Sequence, residues 1–247
     1  MLNGKNAIVY GAGGPMGGAA ARAMAGHGAR VWLAGRTEPK LAAVAAEIEA
    51  AGGSAEIRLV DVEDRAAVDA LAAEVRREAG SLDISYNATT TEARQNQPLV
   101  DMSVDDFLLP VVQSARRQFI TATAAAKQMT AQGSGVIITL TASASEETRH
   151  EMGGFNLACA SVEALTRSLA GEVGKYGVRV ICVRANFTPE TIPGAEDGDL
   201  SMLIKDTLLG RLPKLAEVGQ TVAFAASDHS GAMTASILNL TCGAIPD

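Results

Sequence analysis

Short apolar runs rich in valine, isoleucine and leucine alternate with longer alanine-rich stretches along the chain. Runs that are apolar at successive positions are typical of strands covered on both faces, as in a parallel sheet. The longer stretches between them follow a helical pattern. The predicted strands are residues 6–10, 30–34, 55–60, 82–86, 135–141, 178–184 and 236–240. The predicted helices are near residues 16–27, 38–51, 64–79, 101–131, 153–174 and 214–227.

This alternation predicts an α/β protein with a Rossmann-like, doubly wound parallel sheet of seven strands and helices on both faces. No internal repeat or low-complexity tract interrupts the order, so residues 1–247 are predicted to form one domain. Residues 187–210 are the one long irregular insertion. They fit either a mobile substrate lid or an ordinary solvated loop.

Composition and charge narrow the classes of partner. The chain is 47% hydrophobic, enough for a large core, and its formal net charge is −7. An acidic chain argues against nucleic acid and anionic membranes, which favour basic patches. Three scattered cysteines indicate reduced thiols, and neither a signal peptide nor a membrane-spanning run is visible. We therefore expect a cytoplasmic protein, and no cluster has the spacing of metal ligands.

A glycine-rich turn, GAGGPMGG at residues 11–18, follows the first predicted strand and opens a helix. Such a turn lets the backbone approach a pyrophosphate, whose charge the helix N-terminal amides stabilise. Its predicted cofactor contacts are Gly11, Gly14, Met16 and Gly17.

Arg36 follows the second predicted strand, where an acidic residue would hold an adenosine ribose diol. Its guanidinium suits a 2′-phosphate instead, which favours NADP(H) over NAD(H). The alternative is an exposed arginine that follows a strand and has no ligand.

Residues 154–165, GFNLACASVEAL, resemble the catalytic helix of the short-chain dehydrogenase/reductase family. In that family a Tyr, three further residues and a Lys occupy this frame, and this chain has Phe155 and Cys159 there. The family's Ser, on the strand before, corresponds to Ala142. Its Asn, on the preceding long helix, corresponds to Ser114.

The resemblance covers nearly the whole chain, including the nucleotide end. Gly11 and Gly17 match the family's Gly-x-x-x-Gly-x-Gly pattern, while Pro15 occupies the position of the middle glycine. Asp61 and Val62 resemble the family's adenine contact. Asn87 and Ala88 resemble the start of its Asn-Ala-Gly turn.

The family's chemistry implies what the four replaced residues would do. The Tyr supplies a proton, and the Lys lowers its pKa and holds the nicotinamide ribose. The Ser polarises the carbonyl, and the Asn supports a proton-relay water. Phe155 and Ala142 cannot donate a proton, Cys159 carries no ammonium, and Ser114 is shorter than Asn. Loss of a positioned acid typically lowers the rate ~10²–10⁴-fold.

Other residues could substitute for the missing groups. Ser143 and His150 lie between the Ser and Tyr positions, and His150 is the better candidate acid because histidine is the residue type that ordinarily exchanges protons around neutral pH. The alternative is an exposed loop histidine. Cys159 fits either an acidified nucleophile or a small buried core residue. The enoyl-reductase branch of the family places its Tyr seven residues before the Lys, and that position is Met152.

Three functions remain open at this point. The leading hypothesis is an NADP(H)-binding oxidoreductase of this family with a non-standard site and little or no ordinary ketoreductase activity. A non-redox enzyme (a lyase, isomerase or cyclase) and a catalytically silent binding protein are the alternatives. The family pairs two long helices between subunits, and a homodimer or homotetramer is expected. The proposed contact is an alanine-rich face made of Ala122, Ala124, Ala125 and Ala126.

Overall fold

The computed structural model describes residues 1–148, 150–192 and 194–246. Within these ranges, the strands form one parallel sheet of seven strands in the order β3-β2-β1-β4-β5-β6-β7. The strands are β1 (Asn6–Tyr10), β2 (Arg30–Gly35), β3 (Ser54–Leu59), β4 (Ile84–Asn87), β5 (Gly135–Ala142), β6 (Val178–Ala185) and β7 (Ser236–Leu240). This architecture confirms the predicted doubly wound fold.

Seven α-helices connect these strands or follow them in the described residues. They are α1 (Pro15–Gly26), α2 (Glu38–Ala50), α3 (Arg65–Ala79), α4 (Val104–Gln132), α5 (Gly154–Val173), α6 (Ser201–Lys205) and α7 (Leu215–Ala226). The sequence did not predict α6, because five residues are too few to show a helical period. The insertion expected to be irregular over residues 187–210 therefore contains a short helix.

Two hydrophobic cores lie on opposite faces of the sheet. Helices α1, α2 and α7 pack on one face through residues such as Met24, Leu41 and Val222. Helices α3, α4 and α5 pack on the other through residues such as Val75 and Met129. Helices thus cover both faces, which explains why the strands are apolar at successive positions.

The alanine-rich face of α4 does not have the predicted role. Its four alanines are buried in the core that α4 shares with the sheet and with α3 and α5. Small side chains let this helix approach its neighbours closely within one subunit. The expectation that this face contacts another subunit was wrong, because the helix is rotated so that the alanines point inward.

The strand order reverses between β1 and β4, and this reversal positions the candidate site. Tyr10 and Asn87 are register partners at the carboxyl ends of these two strands. The turns that follow the two strands therefore lie side by side. In open α/β sheets, ligands bind in the crevice at such a switch point.

Candidate active site

Two adjoining cavities open at this switch point. The glycine-turn cavity, of about 210 Å³, is lined by the turn after β1, the end of β2 and residues after β3. The central cavity, of about 330 Å³, lies among α4, β5, α5 and the end of β6. Both are lined by Ala88, Thr89 and Thr90, so they form two ends of one crevice.

The turn after β1 requires glycine at two positions. Gly11 has φ +73°, in the left-handed region, and a Cβ there would lie 3.0 Å from the Ala88 carbonyl carbon. A Cβ on Gly17 would collide with the Gly11 carbonyl oxygen. The two glycines therefore let the turn, the neighbouring strand end and α1 approach one another closely.

Pro15, which departs from the family's glycine pattern, is the first residue of α1. The N–H groups of a helix's first turn have no partner within the helix, so a proline at this position removes no intrahelical hydrogen bond. Gly14 before it is extended, with φ −90° and ψ 166°, as a residue preceding proline prefers. The proline is therefore compatible with an ordinary helix start at this turn.

Three cationic residues line the glycine-turn cavity, and one of them, Arg117, is paired with Glu63. Arg36, Asp61 and Val62 all line it, as predicted, and Lys40 on the first turn of α2 lines it as well. Arg36 Nη1 lies 3.9 Å from Asp61 Oδ2 in a largely exposed pair, which contributes little to stability. Sequence reasoning missed Lys40, although its position four residues after Arg36 was a usable signal.

Asn87 holds the turn after β4 in place. It is not among the residues that line either cavity. It is buried, and its side-chain amide donates to Thr121 Oγ1 at 2.8 Å and to the Arg117 carbonyl at 3.2 Å. Its Oδ1 accepts from the backbone N–H and the hydroxyl of Thr89. These bonds fix the turn after β4 to α4.

The central cavity brings together the four residues that the resemblance aligns with the family's catalytic positions. Ser114 comes from α4, Ala142 from the end of β5, and Phe155 and Cys159 from successive turns of α5. Their convergence was expected from the resemblance. Met16, predicted as a cofactor contact, lines this cavity and not the glycine-turn cavity.

The lining of the central cavity is uncharged. Hydroxyl and amide side chains share it with apolar ones, and Cys159 is its one titratable side chain among the described residues. Burial raises the pKa of the Cys159 thiol, and the side chain is almost fully buried. The thiol is therefore protonated near neutral pH, which favours the buried core residue over the acidified nucleophile.

The three tyrosines of the chain lie away from this lining. Tyr10 and Tyr86 are fully buried in the strands, where burial raises the pKa of both phenols. Tyr176 lies in the turn after α5 and is about half exposed. None of the three is among the described residues that line the central cavity.

The two candidate substitutes also lie outside that lining. Ser143 donates its hydroxyl to Asn186 Oδ1 at 3.0 Å. His150 lines a separate cavity of about 650 Å³, the loop cavity, together with Met152. Its Nε2 lies 3.2 Å from Asp206 Oδ2, which connects the loop after β5 to the residue that follows α6. This contact gives the 187–210 insertion an anchor on the neighbouring loop.

A buried ion pair supports α5 close to the central cavity. Glu163, one turn after Cys159, accepts from Arg184 Nε and Nη2 of β6 at 2.9 Å each, and both side chains are about 4% exposed. Such a planar, two-bond arrangement fixes orientation as well as distance. Sequence reasoning missed this pair, because the two residues belong to different elements and only packing brings them together.

Within residues 1–148, 150–192 and 194–246, no group of three or more His, Cys, Asp or Glu side chains could hold a metal ion. No helix in the same described part of the chain has the length and apolarity required to cross a bilayer.

The chain was compared with known proteins. The family model described as Enoyl-(Acyl carrier protein) reductase matches residues 11–244. A curated relative from Mycobacterium tuberculosis, (5R,7aS)-5-hydroxy-7a-methyl-1-oxo-2,3,5,6,7,7a-hexahydro-1H-indene-carboxyl-CoA reductase, is 32% identical over 98% of this chain and 94% of its own length.

Solved structures give the same architecture with two different cofactors. A gluconate 5-dehydrogenase from Burkholderia cenocepacia, in complex with NADP and tartrate, has a TM-score of 0.88 at 26% identity over 98% of this chain and 96% of that one. An NAD+-bound xylitol dehydrogenase has a TM-score of 0.87 at 25% identity over 98% and 99%. The family match and the relative show that the chain belongs to the short-chain dehydrogenase/reductase family.

Proposed function

We propose that this protein binds NADP(H) in the crevice and has little or no ordinary ketoreductase activity. The observation that carries the proposal is the central cavity, whose described lining holds no acid or base that titrates near neutral pH. When bound, the nicotinamide supplies or accepts hydride. A carbonyl also needs a proton as its alkoxide develops, and Phe155 and Ala142 have none to donate.

The glycine-turn cavity supports the binding half of the proposal. Gly11 and Gly17 allow the tight turn that places the start of α1 at this end of the crevice, and the N-terminus of α1 favours the negative charge of a pyrophosphate. Arg36 and Lys40 offer two positive charges to a 2′-phosphate. These contacts favour NADP(H) over NAD(H), and the two solved relatives by themselves favour neither.

A fluorescence titration with NADPH, followed by turnover assays on a panel of activated ketones, tests the proposal. We expect NADPH to bind, and we expect the rate of NADPH oxidation with each ketone to remain at or near the background rate. Absence of NADPH binding would contradict the first half. Rates of ~1–10³ s⁻¹, ordinary for enzymes, would contradict the second. Binding without turnover on any carbonyl is also what a non-redox enzyme or a silent binding protein would show.

We also infer a homo-oligomer, through a different surface from the one first expected. Val104, Leu108, Val112 and Phe119 are exposed and spaced so that they form a stripe on one face of α4. Leu157 is exposed on α5, which packs beside α4. Contiguous exposed apolar side chains mark association surfaces. A second copy of the chain is the expected partner, with the oligomer expected to be cytoplasmic and without nucleic acid.

A further inference from the structure

Gln118 presents a buried polar atom without a partner in the central cavity. It lies on α4, one turn after Ser114, and lines the cavity. The residue is 4% exposed, and its Oε1 has no hydrogen-bond partner. Its Nε2 donates to the Asn87 carbonyl at 3.4 Å, at the long limit of a hydrogen bond. The amide is thus held only weakly by the protein.

An unpaired buried carbonyl is unfavourable in the free protein, and native structures hold few of them. An apolar side chain would avoid this penalty. The presence of an amide therefore indicates a hydrogen-bond partner that the ligand-free chain does not supply. The surrounding lining is uncharged, which suits an uncharged partner. A hydroxyl fits either orientation of the amide, because it can donate to the oxygen or accept from the nitrogen.

Cys159 indicates which hydroxyl of the ligand would bind Gln118. In the family, the Lys at that position holds the nicotinamide ribose. The buried Cys159 thiol is shorter than a lysine side chain and carries no positive charge, so it cannot make the same contact. Gln118 and Cys159 line the same cavity, from α4 and α5 respectively. We propose that Gln118 binds a hydroxyl of the nicotinamide ribose, in place of the absent lysine. This inference rests on the proposed binding of NADP(H).

An amide in this role separates binding from acid catalysis. It anchors the ribose by hydrogen bonding but carries no charge, so it could not lower the pKa of a neighbouring phenol as an ammonium does. The replacement of the Tyr position by Phe155 is consistent with this arrangement, because no acid remains whose pKa needs lowering.

Calorimetric titration of Gln118→Met tests the assignment, with Gln118→Leu as a second variant of different shape. Two ligands are used: NADPH, and 2′,5′-ADP, which keeps the 2′-phosphate but lacks the nicotinamide ribose. We expect NADPH affinity to fall about 2- to 12-fold, the value of one ordinary hydrogen bond, and 2′,5′-ADP affinity to stay unchanged. Gln128→Leu, on the same helix but outside the cavity lining, is the matched control and should change neither.

A second readout needs no ligand. Removing the unpaired amide should raise the melting temperature of the ligand-free protein by about 2–4 °C in the better-packed variant. Unchanged NADPH affinity in both variants, or an equal loss for 2′,5′-ADP, would overturn the role of Gln118 alone. Wild-type protein that binds neither ligand would overturn the proposed function, and the role of Gln118 with it.

Discussion

The two ends of the crevice differ in the parts of the chain that form them. The glycine-turn cavity depends on a tight backbone turn that requires glycine at positions 11 and 17, and it keeps most of the family's glycine pattern. The central cavity is lined by Ser114, Ala142, Phe155 and Cys159, the four residues that the resemblance aligns with the family's catalytic side chains. Cofactor binding at such a turn depends on the backbone fold, whereas proton transfer depends on individual side chains. Cofactor binding and catalysis can therefore diverge independently in one fold.

Rebuilding the chemical end is the strongest way to test this contrast. We expect the combined variant Ser114→Asn, Ala142→Ser, Phe155→Tyr and Cys159→Lys to reduce an activated ketone with NADPH at least ~10²-fold faster than wild type. The physical reason is that the positioned acid and its supporting groups return together. The measurement is NADPH oxidation at 340 nm.

The single change Phe155→Tyr is the matched control and should have little effect, because an unassisted phenol keeps a pKa near ~10. A combined variant that folds and binds NADPH but stays inert would show that the cavity itself has diverged. The non-redox alternative would then gain support.

The buried ion pair between Glu163 and Arg184 stabilises the structure next to the central cavity. Glu163→Ala removes the two-bond carboxylate partner of the buried Arg184. We expect it to lower the free energy of unfolding by about 3 kcal/mol, the lower end of the range for a broken buried pair, because Glu146 Oε1 remains 3.7 Å from the guanidinium. Urea denaturation measures the change. Glu47→Ala, which breaks the exposed pair with Arg22, is the control and should cost about 1 kcal/mol or less. Equal losses in the two variants would contradict a structural role for the buried pair.

The nucleotide end can be tested by reversing a charge. Arg36→Asp should lower NADPH affinity about tenfold or more relative to NADH, because a carboxylate repels the 2′-phosphate and can accept from a ribose diol. Titration with both cofactors gives the ratio. Arg77→Asp is a matched control, since both arginine side chains are 71% exposed in single weak ion pairs. An unchanged ratio in Arg36→Asp would show that Arg36 is only an exposed arginine.

The smallest expected effect concerns assembly and leaves both cavities intact. Wild-type protein should be a dimer or tetramer by light scattering at micromolar concentration. Val112→Glu should shift it toward smaller species, because a charge in the apolar stripe of α4 is costly to bury. Val100→Glu changes an exposed valine outside that stripe and should not. A monomeric wild type would contradict the proposed oligomer.

The sequence alone determined the fold and the location of the crevice. Local patterns and motif matches were enough to locate the main features of the crevice. These features are the order of strands and helices, the glycine turn, Arg36 and the four positions aligned with the family's catalytic residues. Backbone geometry and the period of apolar residues carry this information within short stretches, so it can be read without knowing tertiary contacts.

Tertiary structure decided which side chains face the crevice. Gln118 lines the central cavity, His150 lines the loop cavity, and the alanines of α4 pack inward. Glu163 and Arg184 meet from different elements. Each of these outcomes depends on how a helix or loop is rotated against its neighbours. That rotation is set by contacts between residues far apart in the chain, and no local pattern records it.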